Sequence, residues 1–399
     1  MIYLSVLFIL LYFSFYYDIN GKTKGRNFFY RFMLLLFILI AGFRWRLGVD
    51  TPNYLYNFYH YIPTLDKFSF TDYSIGQSPF FVLMNSLVKS CGGRFYIVQL
   101  IHATIVNVLV FRYIKRHSSF IFTSVFFYAI FAYTSYNMEI MRGSLSIVIC
   151  LFANDCILEK KWMKGYFLLI VALFFHPQTI VMFLMPFLFF LRLNKIGIMI
   201  LVASFFVGIV IMQLFGDYLW IFEADENVEN KISNYINSEH YGEQGGKIGF
   251  FVASCFIPII YMIYSLLYAK RNKSDNRLLV LEPFIMLCIL FVVLRMNVNI
   301  AYRYVDYYKI YFCLFYANLF VQLIRSARQL NTSLSYIRSL IIFIPFFLLT
   351  IREYVTDKGQ GYRYFPYTSV FERTIDKERQ LKYNEIHSTK YPFPNTNEY

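Results

Sequence analysis

The sequence predicts an all-α, polytopic integral membrane protein of about twelve transmembrane helices, and three observations lead to that class. Of the 399 residues, 58% are apolar, 21% aromatic and only 16% charged, well below the roughly 25% charged of soluble domains. The apolar residues come in runs of spanning length. Short clusters of lysine and arginine separate those runs and alternate in phase with them, as a basic excess in cytoplasmic loops requires. The net charge of +14 is therefore a record of topology and not a nucleic-acid face, since no basic arm or stripe is present. Cys91, Cys150, Cys156, Cys255, Cys288 and Cys313 lie in or beside apolar segments without any C-x-x-C pair, so they read as packing residues.

In chain order, residues 1–17 are apolar and aromatic, with no basic n-region and no small-residue cleavage site, which predicts a retained first helix. Lys22, Lys24, Arg26 and Arg31 follow and place the first loop inside. A second helix over 28–43 returns to the outer face and delivers Arg44, Arg46 and Asp50 into an outer loop, 44–94. The apolar run 78–88 within that loop is short of the ~17–25 residues a crossing needs, so it is expected as a short amphipathic or re-entrant helix. Spans over 95–111, 119–136, 140–157, 163–175, 178–191, 196–215, 248–268, 279–294, 304–324 and 335–351 complete the twelve. The result is a transmembrane domain, 1–351, with an acidic outer loop at 216–247 and an outer-face C-terminal tail, 352–399. Both termini fall outside. The six inner loops of this arrangement hold half of the 38 lysines and arginines.

A few ionisable residues stand at the outer helix ends: Arg44, Arg46 and Asp50; Glu139 and Arg142; His176; and Arg303 with Asp306. Charges at membrane depth face a bundle interior or a wet cavity because lipid cannot solvate them. Local explanations compete with functional ones. Glu139 with Arg142, and Arg303 with Asp306, have the i, i+3 spacing of an ion pair on one helix face. The stretch from Gly42 to Pro52 could be a solvated turn, although two glycines and a proline shape it tightly. Around His176, helix from Lys164 reaches about 18 Å and helix on to Arg192 about 24 Å, both short of the ~30 Å hydrocarbon core. The reversal at His176-Pro177 is thus drawn below the outer surface, where the imidazole either lines a cavity or stabilises its own turn.

These residues carry a family resemblance. Gly42 to Tyr54 reads G-x-R-x-x-x-G-x-D-x-x-x-Y, Asn137-Met138-Glu139-Ile140-Met141-Arg142 opens a helix, Phe174-Phe175-His176 precedes a short helix, and Arg303 stands ahead of an aromatic helix. Together with the tail segment Tyr364 to Phe371, this order resembles the EpsG family of Wzy-like proteins of exopolysaccharide and capsule synthesis. Gly143 stands where that family often has glutamine, and Pro177-Gln178 replaces smaller residues after the histidine.

The resemblance implies a GT-C-like membrane glycosyltransferase that polymerises undecaprenyl-pyrophosphate-linked oligosaccharide repeat units at the outer face of the bacterial cytoplasmic membrane. A sugar hydroxyl attacks the anomeric carbon, needs a base, and expels a pyrophosphate whose charge needs cations. Arg44, Arg46, Arg142 and Arg303 are then expected at the pyrophosphate, because arginine binds phosphate oxygens in a bidentate fork and stays charged. His176 or Asp50 is expected as the base, with His176 preferred for its near-neutral titration. Glu139, Asp306, Gly48 and Tyr54 are supporting residues. The E-x-D pair Glu223 and Asp225 could hold a divalent cation, but it sits among five other acids as a solvated surface would. No metal and no cofactor is expected. The implied partners are the lipid-linked donor and acceptor and the bilayer, with a flippase and a chain-length regulator as candidates and no nucleic acid. An O-antigen ligase-like transferase and a lipid-linked oligosaccharide flippase are the alternatives.

Overall fold

The computed structural model describes residues 2–70, 78–184, 203, 306–330, 337, 361–374 and 376–387. Apart from positions 203 and 337, the expected spans at 196–215, 248–268, 279–294 and 335–351 lie outside the described residues, as do the acidic loop with Glu223 and Asp225, Arg303, Cys255 and Cys288. The chain divides into two compact units, 1–183 with 316–399, and 184–315.

Every regular element among the described residues is helical: α1 (Ile2–Phe13), α2 (Arg26–Gly42), α3 (Thr51–His60), α4 (Pro79–Ser90), α5 (Phe95–His117), α6 (Ile121–Phe131), α7 (Met141–Leu158), α8 (Trp162–Phe175), α9 (Lys309–Leu330) and α10 (Lys377–His387). A π-helical turn, Ser14–Ile19, extends α1. Among the described residues, four stretches are long and apolar enough to cross a membrane, namely Ile2–Ile19, Phe95–His117, Met141–Leu158 and Lys309–Gln329, and α6 and α8 are shorter apolar helices. These make the chain a membrane protein whose described residues are helical.

The first unit is built on antiparallel pairs. Tyr30 of α2 donates to the Phe111 carbonyl of α5 at 2.7 Å, while at the other end of the pair a methyl group on Gly42 would lie 3.1 Å from the Leu100 Cα. That approach favours glycine, since a larger residue would press on Leu100. α7 packs on α8 and on α5, and α1 on α6. Aromatic rings fill the space between: Phe37 meets Tyr133 at 4.5 Å, Phe111 at 5.4 Å and Tyr128 at 5.9 Å between centroids.

One end of these helices is basic and tied by ions. Asp18 accepts the Thr123 N–H and hydroxyl at 2.7 and 2.9 Å. Arg325 donates to its carbonyl at 2.6 Å. Asp155 faces His117 at 2.8 Å and Arg116 at 3.4 Å. The opposite end, where α2 finishes and α5 and α7 begin, carries the candidate site.

Two expected spans differ. The helix expected over 119–136 ends at Phe131, and residues Ser135–Glu139 form a π-helical turn instead. Asn137 explains the break: buried, it donates to the Tyr133 carbonyl at 2.9 Å and accepts from Asn107 at 2.8 Å, while the Tyr128 hydroxyl donates to Asn107 at 3.0 Å. A buried amide must be satisfied, and this turn satisfies it. After His176, Pro177–Leu184 form 3-10 turns where an α-helix over 178–191 was expected. Proline supplies no N–H to continue the α8 ladder.

Candidate functional site

The site is assembled around the left-handed kink that ends the α2 connection. Gly48 has φ +91, and a Cβ there would sit 2.0 Å from the Met138 carbonyl oxygen, so the loop lies backbone-on-backbone against the π-helical turn. Thr51 reinforces that contact by donating its hydroxyl to the same carbonyl at 3.0 Å. The Val49 N–H then points at Glu139, 3.2 and 3.3 Å from its two carboxylate oxygens. Asp50 occupies the N-cap position of α3, close enough to Glu139 for the two carboxylates to oppose each other's ionisation.

The C-terminal segment completes this arrangement, from more than 300 residues away in sequence. Residues 361–374 lie as a strap over the loop. Arg44 and Ser369 form an antiparallel bridge, the Trp45 N–H donates to the Thr368 carbonyl at 2.8 Å, the Val370 N–H to the Phe43 carbonyl at 2.9 Å, and the Gly48 N–H to the Arg363 carbonyl at 3.0 Å. Arg379 of α10 pins the strap, donating to the Tyr362 and Pro366 carbonyls and to the Thr368 hydroxyl. Tyr3 of α1 packs against Phe365 and Tyr367. The consequence is that the Arg363 guanidinium stands 3.8 Å from Glu139, with the Tyr364 hydroxyl also bonded to that carboxylate.

Burial pushes the Glu139 carboxyl above its ordinary value, with Arg363 pulling the other way and Asp50 adding to the rise. Burial works against the Arg363 charge, but Glu139 together with Tyr362 and Tyr364 outweighs it, so the guanidinium is held above its ordinary value. The two form one electrostatic unit. A half-buried carboxylate facing a firmly charged arginine, in low dielectric, interacts more strongly than a surface pair would.

The expected site residues are distributed as follows. Arg142, in the first turn of α7, lies over the Tyr54 ring at 5.9 Å from the centroid, within hydrogen-bonding reach of the Tyr54 hydroxyl. His176 caps α8, its N–H donating to the Ala172 carbonyl at 3.0 Å; its ring lies 3.8 Å from where a Gly143 Cβ would be, next to Arg142. The His176 Nδ1 accepts the Gln178 N–H at 3.3 Å. Asp50, Tyr54, Glu139, Arg142 and His176 are thereby brought to one end of the helices.

Two arginines go elsewhere. Arg44 is wholly buried; its guanidinium donates to the Ala41 carbonyl at 2.5 Å and to the Met141 sulfur at 3.3 Å, and burial pulls it down to about 10. It holds the α2 terminus to α7 and exposes no atom to an anion. Arg46 lines a crevice with Trp45, Arg94 and Arg373. In the second unit, Asp306 is buried and pairs with Lys309 at 2.5 Å. Among the described residues no group of three or more His, Cys, Asp or Glu is placed to hold a metal ion. The sequence reading passed over Arg363. Its signal lay in the aromatic segment that begins at the next residue.

No curated protein and no solved structure matches the chain. The profile of the EpsG family matches residues 27–369, from the start of α2 through the strap residue Ser369 that pairs with Arg44. Its limits therefore enclose the loop, the π-helical turn, the start of α7, the α8 cap and the strap as far as Ser369. On that match, the chain belongs to the EpsG family.

Proposed function

We propose that this membrane protein polymerises oligosaccharide repeat units carried on undecaprenyl pyrophosphate, by inverting glycosyl transfer at the outer face of the cytoplasmic membrane. The family match points to a polysaccharide-polymerase role. The observation that carries the reading is the gathering of Arg142, Arg363, Asp50, Glu139 and His176 at one end of apolar helices, opposite the end that holds Asp18 and Asp155.

In the proposed step an acceptor sugar hydroxyl attacks the anomeric carbon of the donor chain. The new carbon–oxygen bond forms on the face opposite the pyrophosphate, the bond to the pyrophosphate oxygen breaks with its electron pair, and the hydroxyl proton passes to a base. Arg142 and Arg363 take the pyrophosphate charge as it develops, together with Arg303, which lies outside the described residues. Two preorganised guanidinium groups perform the electrostatic task that a cation performs elsewhere, so the proposed reaction is metal-independent. Glu139 positions Arg363 and the Val49 loop.

The choice of base follows from the imidazole. A neutral ring that accepts at Nδ1 carries its proton on Nε2, so His176 offers the site a donor, suited to a pyrophosphate or sugar oxygen. The proton acceptor is then Asp50. In this proposal Asp50 is the base and His176 the donor, whereas titration range alone favours His176.

The test is the length of the surface polysaccharide in a strain lacking the gene, complemented with parent or Arg142→Lys. A strain limited to single repeat units, restored by the parent and not by Arg142→Lys at equal membrane abundance, supports the polymerase. Full-length polymer retained on the carrier lipid would indicate a ligase, and repeat units trapped on the inner leaflet a flippase; either result overturns the reading.

A further inference from the structure

His102 stands about two turns into α5, and the proposed reaction gives it no part. It is wholly buried, so no substrate touches it. A polar ring inside a helix of spanning length is costly, and such residues are kept where they do something specific. The ring nitrogen Nε2 lies 3.0 Å from the Met141 carbonyl oxygen and 2.9 Å from the Ser144 hydroxyl. A carbonyl can only accept, so Nε2 carries the proton and donates it across to α7. Ser144 closes the triangle, donating its hydroxyl to the same carbonyl at 3.1 Å.

Met141 is the first residue of α7 and Arg142 the second. The N-cap residue, Ile140, has no side-chain oxygen to fix that turn, so its placement falls to contacts from other helices. Arg44, wholly buried just past the end of α2, takes the Met141 side chain by its sulfur at 3.3 Å. His102 takes the main chain of the same residue. Met141 is thus held at its side chain and its carbonyl, and Arg142, next to it, lies over the Tyr54 ring. Gly143 follows, with the His176 ring 3.8 Å from where its Cβ would be. A shift of this turn therefore moves Arg142 and changes its spacing from His176.

We propose that His102 is a positioning residue, which fixes the first turn of α7 and with it the place where the Arg142 guanidinium meets the pyrophosphate. The inference rests on the reading of Arg142 as a pyrophosphate ligand. A purely structural tie between helices would show itself in stability, where such hydrogen bonds count for little, since a separated membrane helix finds other partners. Geometry at a charged site is more demanding, because a misplacement of about 1 Å costs on the order of a hundredfold in rate. The effect of His102 therefore belongs in ligand affinity rather than in the thermal midpoint.

The experiment measures inorganic pyrophosphate binding and the thermal midpoint of the full-length purified protein. His102→Leu, which keeps the bulk and loses the donor, should weaken pyrophosphate binding about tenfold. His102→Gln places an amide nitrogen near the position of Nε2 and should restore affinity to within about threefold of the parent. The shorter His102→Asn does not reach Met141 and should remain weak. In an Arg142→Lys background, itself weaker for pyrophosphate, His102→Leu should add nothing, because residues that act through one another are not additive. Parental affinity in His102→Leu and His102→Asn, or a His102→Leu effect that persists undiminished beside Arg142→Lys, overturns the proposal. So does a fall in midpoint with no fall in affinity, which would make the ring a helix tie only. Should His102→Leu fail to fold, the contrast between glutamine and asparagine decides, and equal affinity in those two variants overturns the proposal. If Arg142→Lys binds pyrophosphate as the parent does, the reading of Arg142 fails and takes this inference with it; weak binding by Arg142→Lys beside parental binding by His102→Leu removes the inference alone.

Discussion

At the residue scale the central question is what Glu139 does, since a carboxylate in that position is either a structural pin or part of the chemistry. Its carboxyl is held above its ordinary value, so the linkage has a definite sign. Well below about pH 4.5 both folded and unfolded forms are protonated and the group is neutral to stability. As pH rises, the unfolded chain ionises first and the fold loses stability relative to it, until the folded carboxyl has ionised as well. Glu139→Gln removes that loss and keeps an acceptor for the Val49 N–H. The variant should therefore unfold no earlier than the parent at neutral pH, while polymerisation per folded molecule falls about a hundredfold as Arg363 loses its anchor. Earlier unfolding with unimpaired specific activity would make Glu139 a structural pin and remove it from the site. Asp50 and His176 separate in single-turnover rates across pH. Asp50→Asn should bind donor and not turn over, and His176→Gln should be slowed with the acidic limb of the profile unmoved. A His176→Gln profile that loses this limb, with Asp50→Asn near parental rate, would return the base to His176.

At the scale of elements, the loop from Phe43 to Asp50 works because it has no room to move. Gly48→Ala tests that directly: the added methyl meets the Met138 carbonyl, a backbone atom that no side-chain rotation can clear. It also forces alanine into positive φ. Backbone strain of about 1–3 kcal/mol should lower the thermal midpoint and cost activity beyond the loss of folded protein, because Val49 and Asp50 move with it. Unchanged stability together with unchanged activity would mean that the loop is not held as described. Hydropathy made α2, α5, α7 and α8 legible to within a few residues, since burial in lipid writes itself as apolar run length. It could not reveal the π-helical turn at Ser135–Glu139, which is set by the hydrogen bonds of Asn137, accepting from Asn107 on α5 and donating to the Tyr128 hydroxyl on α6. Nor could it reveal the strap. The pairing of Arg44 with Ser369 has no periodicity and spans most of the chain. Gly42, Gly48, Asp50, Glu139 and Arg142 were visible as candidates because charges and glycines are conspicuous at helix ends. Their division into a buried Arg44, a site-facing Arg142 and a crevice-lining Arg46 depends on packing alone.

For the whole molecule, the decisive property is which way the two ends of the helices face. We propose that the end gathering Lys115, Arg116, Lys161, Arg325 and Arg328 around α5, α7 and α9 faces the cytoplasm, because lysines and arginines in short loops are retained on that side during insertion. The site lies at the other end, where a polymerase using lipid-linked units already translocated would need it. The chain offers a native reporter. Cys91 is exposed in the connection from α4 to α5, at the site end, whereas Cys150, Cys156 and Cys313 are buried. Lys22 is exposed at the basic end. With Cys255 and Cys288 replaced by serine, a membrane-impermeant maleimide added to intact spheroplasts should label Cys91, and Cys91→Ser should abolish that labelling. In the Cys91→Ser background, Lys22→Cys should react only after the membrane is permeabilised. Labelling of Lys22→Cys in intact spheroplasts, with Cys91 protected, would place Arg142, Arg363 and Asp50 in the cytoplasm. Outer-face polymerisation would then fail, because the acceptor and donor chains would be on the wrong leaflet, even if every residue-level result above came out as expected.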